Sequence, residues 1–277
     1  MTIHWQPLVE LISQRNTFLL TSHCRADCDA LGSELALAAA LRSLGKQVAI
    51  VNGDEVPEHI EFMDPEGEIL VVGSTMPLEM MRGYEVLIVL DTSAWGQLGP
   101  MAEVVRGFGG QVVVIDHHQS EDDLGADVYK DATAEATGRL VLQLIEALDV
   151  EVTPEIARSL FAAIATDTGW FRFASVTAET FRALATLVAA GASPPETFAR
   201  LYEQHTIERL HLRGRILNHV RRDCDGRLFW TRVSQEDFAE TGAQRTDTED
   251  AINQLLTVAG AEVAAMFIEM SGNETKV

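Results

Sequence analysis

Apolar residues along the first two thirds of the chain fall into short continuous runs, each ended abruptly by polar residues. Residues 17–22, 47–51, 69–72, 86–90 and 112–115 are such runs. They have the length and the Val, Ile and Leu content of strands buried on both faces of a parallel sheet. Helical periodicity fills the intervals. Leu8, Leu11 and Ile12 share a face in residues 5–13, and residues 34–44 are Ala- and Leu-rich and closed by Gly45. Further helices are predicted at 134–148, at 155–165 behind Pro154, at 177–190 before Gly191, and from Pro195 to about residue 220. The alternation predicts an α/β fold: a doubly wound, mainly parallel sheet with helices on both faces.

From residue 226 the pattern changes. Residues 228–233 read as a strand, 248–258 as a helix and 261–270 as another strand, followed by turn chemistry at Ser271, Gly272 and Asn273 and a new strand starting at Lys276. The division predicted is a main domain at 1–190, a helical connector at 191–224 and a second, smaller α/β domain at 225–277. A strand that only begins at the chain's end leaves a sheet edge unpaired, which predicts that the natural protein continues beyond Val277.

Candidate chemistry sits where the apolar runs end. His23, Asp27 and Asp29 crowd the loop between the first strand and the next helix, where helix amides favour anions. Helix capping explains one of these carboxylates, Asp29 for example, but not the His-x-x-x-Asp-x-Asp set. Asp91 follows the fourth run, Asp116, His117 and His118 follow the fifth, and Asp167 stands at a helix end. A parallel sheet can bring His23, Asp27, Asp29, Asp91, His117 and Asp167 to one edge. Oxygen and nitrogen donors without thiolate favour Mn²⁺ or Mg²⁺ over structural zinc. Four carboxylates call for two such ions sharing one carboxylate, because a single ion leaves buried charge uncompensated. His59, His205, His211 and His219 lie among polar or charged neighbours and read as bystanders.

Composition narrows the partners. A formal net charge of -21 with no basic cluster argues against wrapping long duplex nucleic acid, yet leaves room for a small anionic substrate held through metal. Cys24, Cys28 and Cys224 are sparse and lack C-x-x-C spacing, as expected of a reducing cytoplasm. The N-terminus lacks a signal-peptide core and no stretch is long and apolar enough to span a bilayer, so no membrane partner is expected.

Four stretches in order resemble the DHH phosphoesterase superfamily: the loop and helix start from Ser22 to Ser33, then Leu90-Asp91-Thr92-Ser93, Ile115-Asp116-His117-His118 and Ala165-Thr166-Asp167-Thr168-Gly169. The resemblance covers essentially the whole chain. Length and a short second domain, similar to a truncated DHHA1-type domain, resemble the oligoribonuclease and 3'-phosphoadenosine 5'-phosphate phosphatase branch. That resemblance implies hydrolysis of short oligoribonucleotides to nucleoside 5'-monophosphates and of 3'-phosphoadenosine 5'-phosphate to AMP, with two divalent ions, Mn²⁺ first. It implies that His23 and Asp27 bind one ion, that Asp29, His117 and Asp167 bind the other, and that Asp91 bridges them. His118 would act beside the phosphate, with Asp116 orienting an imidazole from behind.

Two departures, Ala26 and Cys28, are small enough for the first loop to survive. The basic segment and glycine-rich loop with which relatives grip substrate do not occur before Val277. Within the residues present, Arg25, Arg139 and Arg172 are the candidate phosphate partners, while Trp170, Phe171 and Phe173 could pack in the core or stack a base. Two other readings stay open: a manganese-dependent inorganic pyrophosphatase and a non-catalytic nucleotide-binding module. Oligomeric state is open as well, a homodimer included.

Overall fold

The computed structural model describes residues 3–248, 251–270, 272 and 274–277. It divides into two compact units, Met1–Leu201 and Tyr202–Val277. In chain order the first contains α1 (Gln6–Gln14), β1 (Thr17–Thr21), α2 (Cys28–Ser43), β2 (Gln47–Asn52), β3 (Ile69–Val71), α3 (Leu78–Met81), β4 (Val86–Leu90), α4 (Met101–Gly107), β5 (Gln111–Asp116) and β6 (Asp127–Lys130). Then come α5 (Thr137–Ala147), α6 (Pro154–Asp167), α7 (Ala178–Ala189) and α8 (Pro194–Tyr202), whose last residue already falls in the second unit.

The six strands form one wholly parallel sheet in the order β3-β2-β1-β4-β5-β6. The chain winds outward from β1 to β3, then returns to the middle and winds the other way from β4 to β6. The direction reverses between β1 and β4, and a crevice opens there at the carboxyl ends of the strands. Strand side chains alternate between two apolar cores. Phe18, Leu20, Ile88 and Leu90 enter the core shared with α1, α2, α5, α6 and α7, while Leu19, Leu87 and Val89 enter the core with Met81 of α3 and Met101 and Val105 of α4. Every residue of β4 is buried, which explains its unbroken apolar run.

The second unit contains α9 (Ile207–Asn218), β7 (Arg221–Asp223), β8 (Leu228–Val233), α10 (Gln235–Thr241), α11 (Ala251–Leu255), β9 (Val263–Glu269) and β10 (Thr275–Lys276). Its sheet runs β10-β9-β8-β7, parallel between β8 and β9 and antiparallel at both edges. Leu212 and Ile216 of α9 are buried with Val233, Phe238, Ala251 and Ile268.

Several boundaries differ from the sequence reading. The long helix expected after Pro195 is two helices, and Thr206 caps the second by accepting the Arg209 amide at 3.2 Å. Within residues 191–224, most of α8 belongs to the first unit, and α9 supplies core to the second. α2 starts at Cys28 rather than Glu34. β6 is not foreseen by its sequence, since a half-exposed edge strand spelled Asp-Val-Tyr-Lys has no apolar run to reveal it. The strand expected at Lys276 is β10, paired with β9. Ser271 and Asn273 of the expected turn, and Glu249 and Asp250 of the expected helix, lie outside the described residues. Among the described residues no helix is long and apolar enough to cross a membrane.

Candidate metal centre

The first ligand loop leaves β1 and enters α2. Asp27 caps that helix, its Oδ1 accepting the amides of Asp29 at 2.9 Å and Ala30 at 3.1 Å. The capping carboxylate is thus Asp27, and Asp29 lies inside the first helical turn. His23 Nδ1 lies 3.0 Å from the Cys24 carbonyl, so that contact takes the Nδ1 hydrogen and directs Nε2 to the carboxylates: 3.4 Å from Asp91 Oδ2 and 4.0 Å from Asp27 Oδ1.

Asp29 is almost wholly buried and points at the start of α5. Its two oxygens accept the amides of Thr137 at 2.7 Å and Gly138 at 2.8 Å, an anion seated on a helix N-terminus. Asp91 leaves β4 in a left-handed backbone conformation, φ 62°, which aspartate tolerates better than most residues. Its amide donates to the Ile115 carbonyl at 3.0 Å, and its Oδ1 accepts the Thr137 hydroxyl at 2.8 Å. Switch-point topology therefore sets Asp91 between the exits of β1 and β5.

His117 follows β5. Its Nδ1 faces the Ala134 carbonyl at 3.2 Å, leaving Nε2 turned inward, 3.7 Å from Asp29 Oδ2, 3.6 Å from Asp91 Oδ1 and 3.6 Å from Asp167 Oδ2. That nitrogen is buried and has no hydrogen-bond partner. A nitrogen ringed at these distances by three carboxylate oxygens is too far away to hydrogen-bond them, but the spacing suits donors that share one ion about 2.1–2.3 Å from each.

Two ligand groups emerge, His23 with Asp27 and Asp91, and Asp29 with His117 and Asp167; a third, Asp91 with His117 and His118, overlaps them. Asp91 turns Oδ2 to His23 and Oδ1 to His117, so one carboxylate faces both groups. All six residues expected as ligands come together, and the donor set fits divalent ions.

The electrostatics of the bare protein agree. Burial, then the neighbouring charges of Asp91, Asp167 and Asp27, push Asp29 well above the usual carboxylate range. Burial raises Asp167 to about 6, with His117 opposing and Asp91 adding to the rise. Burial disfavours charge on His23, but the hydrogen bond and charge of Asp91 prevail and raise it to about 9. Without bound cations, protons supply the counter-charge.

His118 stands apart from that set. Asp116 Oδ1 accepts both its amide at 3.0 Å and its Nδ1–H at 2.8 Å, and its side chain is 41% exposed. Asp116 thus orients His118, while the Ala134 carbonyl orients His117. Burial alone would raise Asp116, but hydrogen bonds from His118, Ser93 and Lys130 hold it well below the usual range.

The candidate phosphate partners do not form a comparable set. Arg139 is mostly buried, its Nε 3.8 Å from Glu135 Oε1. Arg172 donates Nε–H to the Gly169 carbonyl at 2.6 Å. Arg25 is exposed beside the ligand loop, its amide held by Asp54 Oδ2 at 2.8 Å. Trp170 and Phe171 pack against Phe161, whereas Phe173 is exposed. The sequence reading misses Thr137, which serves both Asp29 and Asp91, and Lys130; only the position of Thr137 at a predicted helix start hinted at a role.

A description of the DHH family, N-terminal domain, matches residues 17–164. Over 258 residues the chain is 31% identical to the bifunctional oligoribonuclease and PAP phosphatase NrnA of Thermus thermophilus, covering 93% of this chain and 74% of that protein. It is 24% identical over 265 residues to the protein of the same name from Bacillus subtilis, covering 95% and 80%. An exopolyphosphatase-related protein from Bacteroides fragilis superposes with a TM-score of 0.91 at 22% identity, over 97% of this chain and 80% of that one, a likeness of fold. The domain match, a relative 31% identical over 93% of this chain, and the candidate ligand groups at the switch point lead to one conclusion: the chain belongs to the DHH family.

Proposed function

We propose that this protein is a divalent-metal-dependent phosphoesterase that hydrolyses short oligoribonucleotides to nucleoside 5'-monophosphates and 3'-phosphoadenosine 5'-phosphate to AMP, acting in the cytoplasm. The substrate class rests on the relatives, which are named as bifunctional oligoribonucleases and PAP phosphatases. The observation that carries the chemistry is the division of Asp91 between two ligand groups. His23, Asp27 and Asp91 would hold one ion, and Asp29, His117, Asp167 and the shared Asp91 the other, Mn²⁺ being the first candidate and Mg²⁺ the second. Bound there, such ions supply positive charge for phosphoryl oxygens and acidify water for attack.

The chain's own residues do the rest. Carbonyls of Cys24 and Ala134 fix the two ligand imidazoles with Nε2 inward. Thr137 and Gly138 clamp Asp29. The Asp116 hydrogen bond raises the His118 pKa and so favours the imidazolium, whose second proton sits on Nε2, the nitrogen that Asp116 does not hold. From there it donates to a phosphoryl or leaving oxygen.

Product analysis with Mn²⁺ tests the reading on 5'-phosphorylated diadenylate, a longer RNA, 3'-phosphoadenosine 5'-phosphate and pyrophosphate. AMP from the dinucleotide and from the bisphosphate is expected. Asp91→Asn should lower the rate by more than about 10²-fold while leaving the circular dichroism spectrum unchanged. Cleavage of pyrophosphate alone would replace this assignment with a pyrophosphatase, and turnover of nothing would favour a binding module.

A further inference from the structure

β6 ends on Lys130, and its ammonium is drawn inward, with 11% of the side chain exposed. Nζ donates to the Ser120 carbonyl at 2.6 Å and to Ser93 Oγ at 2.7 Å, and lies 3.1 Å from Asp116 Oδ2 and 3.6 Å from Glu121 Oε2. Ser93 in turn donates its hydroxyl to Asp116 Oδ2 at 2.6 Å. Both oxygens of the fully buried Asp116 are therefore engaged. Oδ2 meets Lys130 and Ser93, and Oδ1 takes both hydrogens from His118.

This arrangement has a directional consequence. A carboxylate held at one oxygen can turn about its Cβ–Cγ bond, whereas contacts to both oxygens fix its plane. The plane of Asp116 sets where Oδ1 points, and Oδ1 sets the plane of the His118 ring. Lys130 also neutralises a carboxylate that has no solvent exposure; unpaired, that charge would be costly to bury. A third effect is on the chain between β5 and β6. Lys130 ties the Ser120 carbonyl and Glu121 to the same point, so the segment that follows His118 is anchored as well. Among the described residues, the hydrogen bonds and ion pairs of Lys130 reach Ser93, Ser120, Asp116 and Glu121 and none of the six candidate ligands, which separates it from metal binding.

We propose that Lys130 is a positioning residue for His118: it locks Asp116 and thereby fixes the imidazole with Nε2 turned to the phosphoryl group. The inference rests on the reading that His118 serves the phosphate. Lys130 does not touch substrate. Its effect runs through two intervening hydrogen bonds.

The test uses the full chain with Mn²⁺ and the variants Lys130→Met and Lys130→Arg. With 5'-phosphorylated diadenylate, K130M should lower kcat by about 10- to 100-fold. KM and the amount of Mn²⁺ bound should stay within about twofold of wild type, because the ligand set is intact. K130R, which keeps the charge and the donors, should restore most of kcat. Nitrogen-15 NMR of the His118 ring, recorded with diamagnetic Mg²⁺ in place of Mn²⁺, supplies a readout independent of turnover: wild type should show a protonated Nδ1 with a downfield proton, and K130M should lose that signal.

Unchanged kcat in K130M, whatever its thermal stability, overturns the proposal, as does an unchanged His118 signal. Loss of Mn²⁺ binding would overturn it too, because Lys130 would then be supporting the ligands. If wild type cleaves none of the substrates, the functional reading fails, and the NMR comparison still decides whether Lys130 positions the ring. Should K130M not fold, Lys130→Gln keeps a donor toward Ser93 and Ser120 without the charge and carries the same expectations.

Discussion

Glu34 shows what the fold accepts near its polar centre. This carboxylate is fully buried on α2, with Oε2 accepting Asn52 Nδ2–H at 3.0 Å. Burial raises its pKa to about 7, although the hydrogen bond from Asn52 pulls the other way. The folded chain therefore binds a proton that the unfolded chain, with an ordinary glutamate near 4.5, releases first. Stability from this site is fully present below about pH 4.5 and is lost as pH rises through about 7; the loss approaches about 3 kcal/mol. Glu34→Gln keeps an acceptor for Asn52 and removes the titration. In chelator, its denaturation midpoint should exceed that of wild type at pH 8, and the gap should close toward pH 5. A gap that does not change with pH would refute the account. The candidate ligand residues were legible because they stand at the exits of apolar runs or at helix ends, and the parallel topology forces those points together. Lys130 and Arg139 were not, because what a long side chain meets depends on elements distant in sequence.

At the scale of elements, apolar runs announced β1, β4 and β5, whereas β6 had no run to announce it. The start of α2 was displaced to Cys28 because Asp27, read as a metal ligand, is also the cap. The close crossing of α2 and α6 could not be read from either helix alone, since small residues inside a helix are ambiguous until its partner is known. At Gly32 a Cβ would collide with the carbonyl oxygen of Ser159 and meet Ala163 Cβ at 3.0 Å. Gly32→Ala gains up to about 1 kcal/mol of helix propensity but must displace backbone, for a net loss of about 2 kcal/mol. Gly214 in α9 is the control, because a Cβ there meets nothing within 4 Å. Gly214→Ala should stabilise by up to about 1 kcal/mol. Urea unfolding of both variants checks the pair, and equal effects would mean that the crossing has slack.

Across the molecule, the carboxylates gathered at the switch point make folding, protonation and metal uptake one linked equilibrium. Asp29 and Asp167 are raised chiefly by burial, and His23, at about 9, keeps its proton at neutral pH in the metal-free protein. For His23 the sign is clear: the stability it lends the metal-free fold is complete below about 6.5 and is lost as pH rises through about 9. A cation must displace that proton before Nε2 can serve as a ligand. Affinity for Mn²⁺ should therefore rise by up to about tenfold per pH unit between pH 7 and 9 and level off above that range. Isothermal titration in two buffers of different ionisation enthalpy counts the protons released. At least one per protein is expected at pH 7, falling as the pH passes 9. Thermal denaturation should follow the same course: free Mn²⁺ at a hundred times Kd adds about 2.7 kcal/mol. At a fixed Mn²⁺ concentration the gain should shrink as acid restores the protons, and chelator should abolish it. Proton-neutral binding at pH 7 would mean that Asp91 does not hold His23 in its charged form, and the electrostatic account of the centre would have to be abandoned.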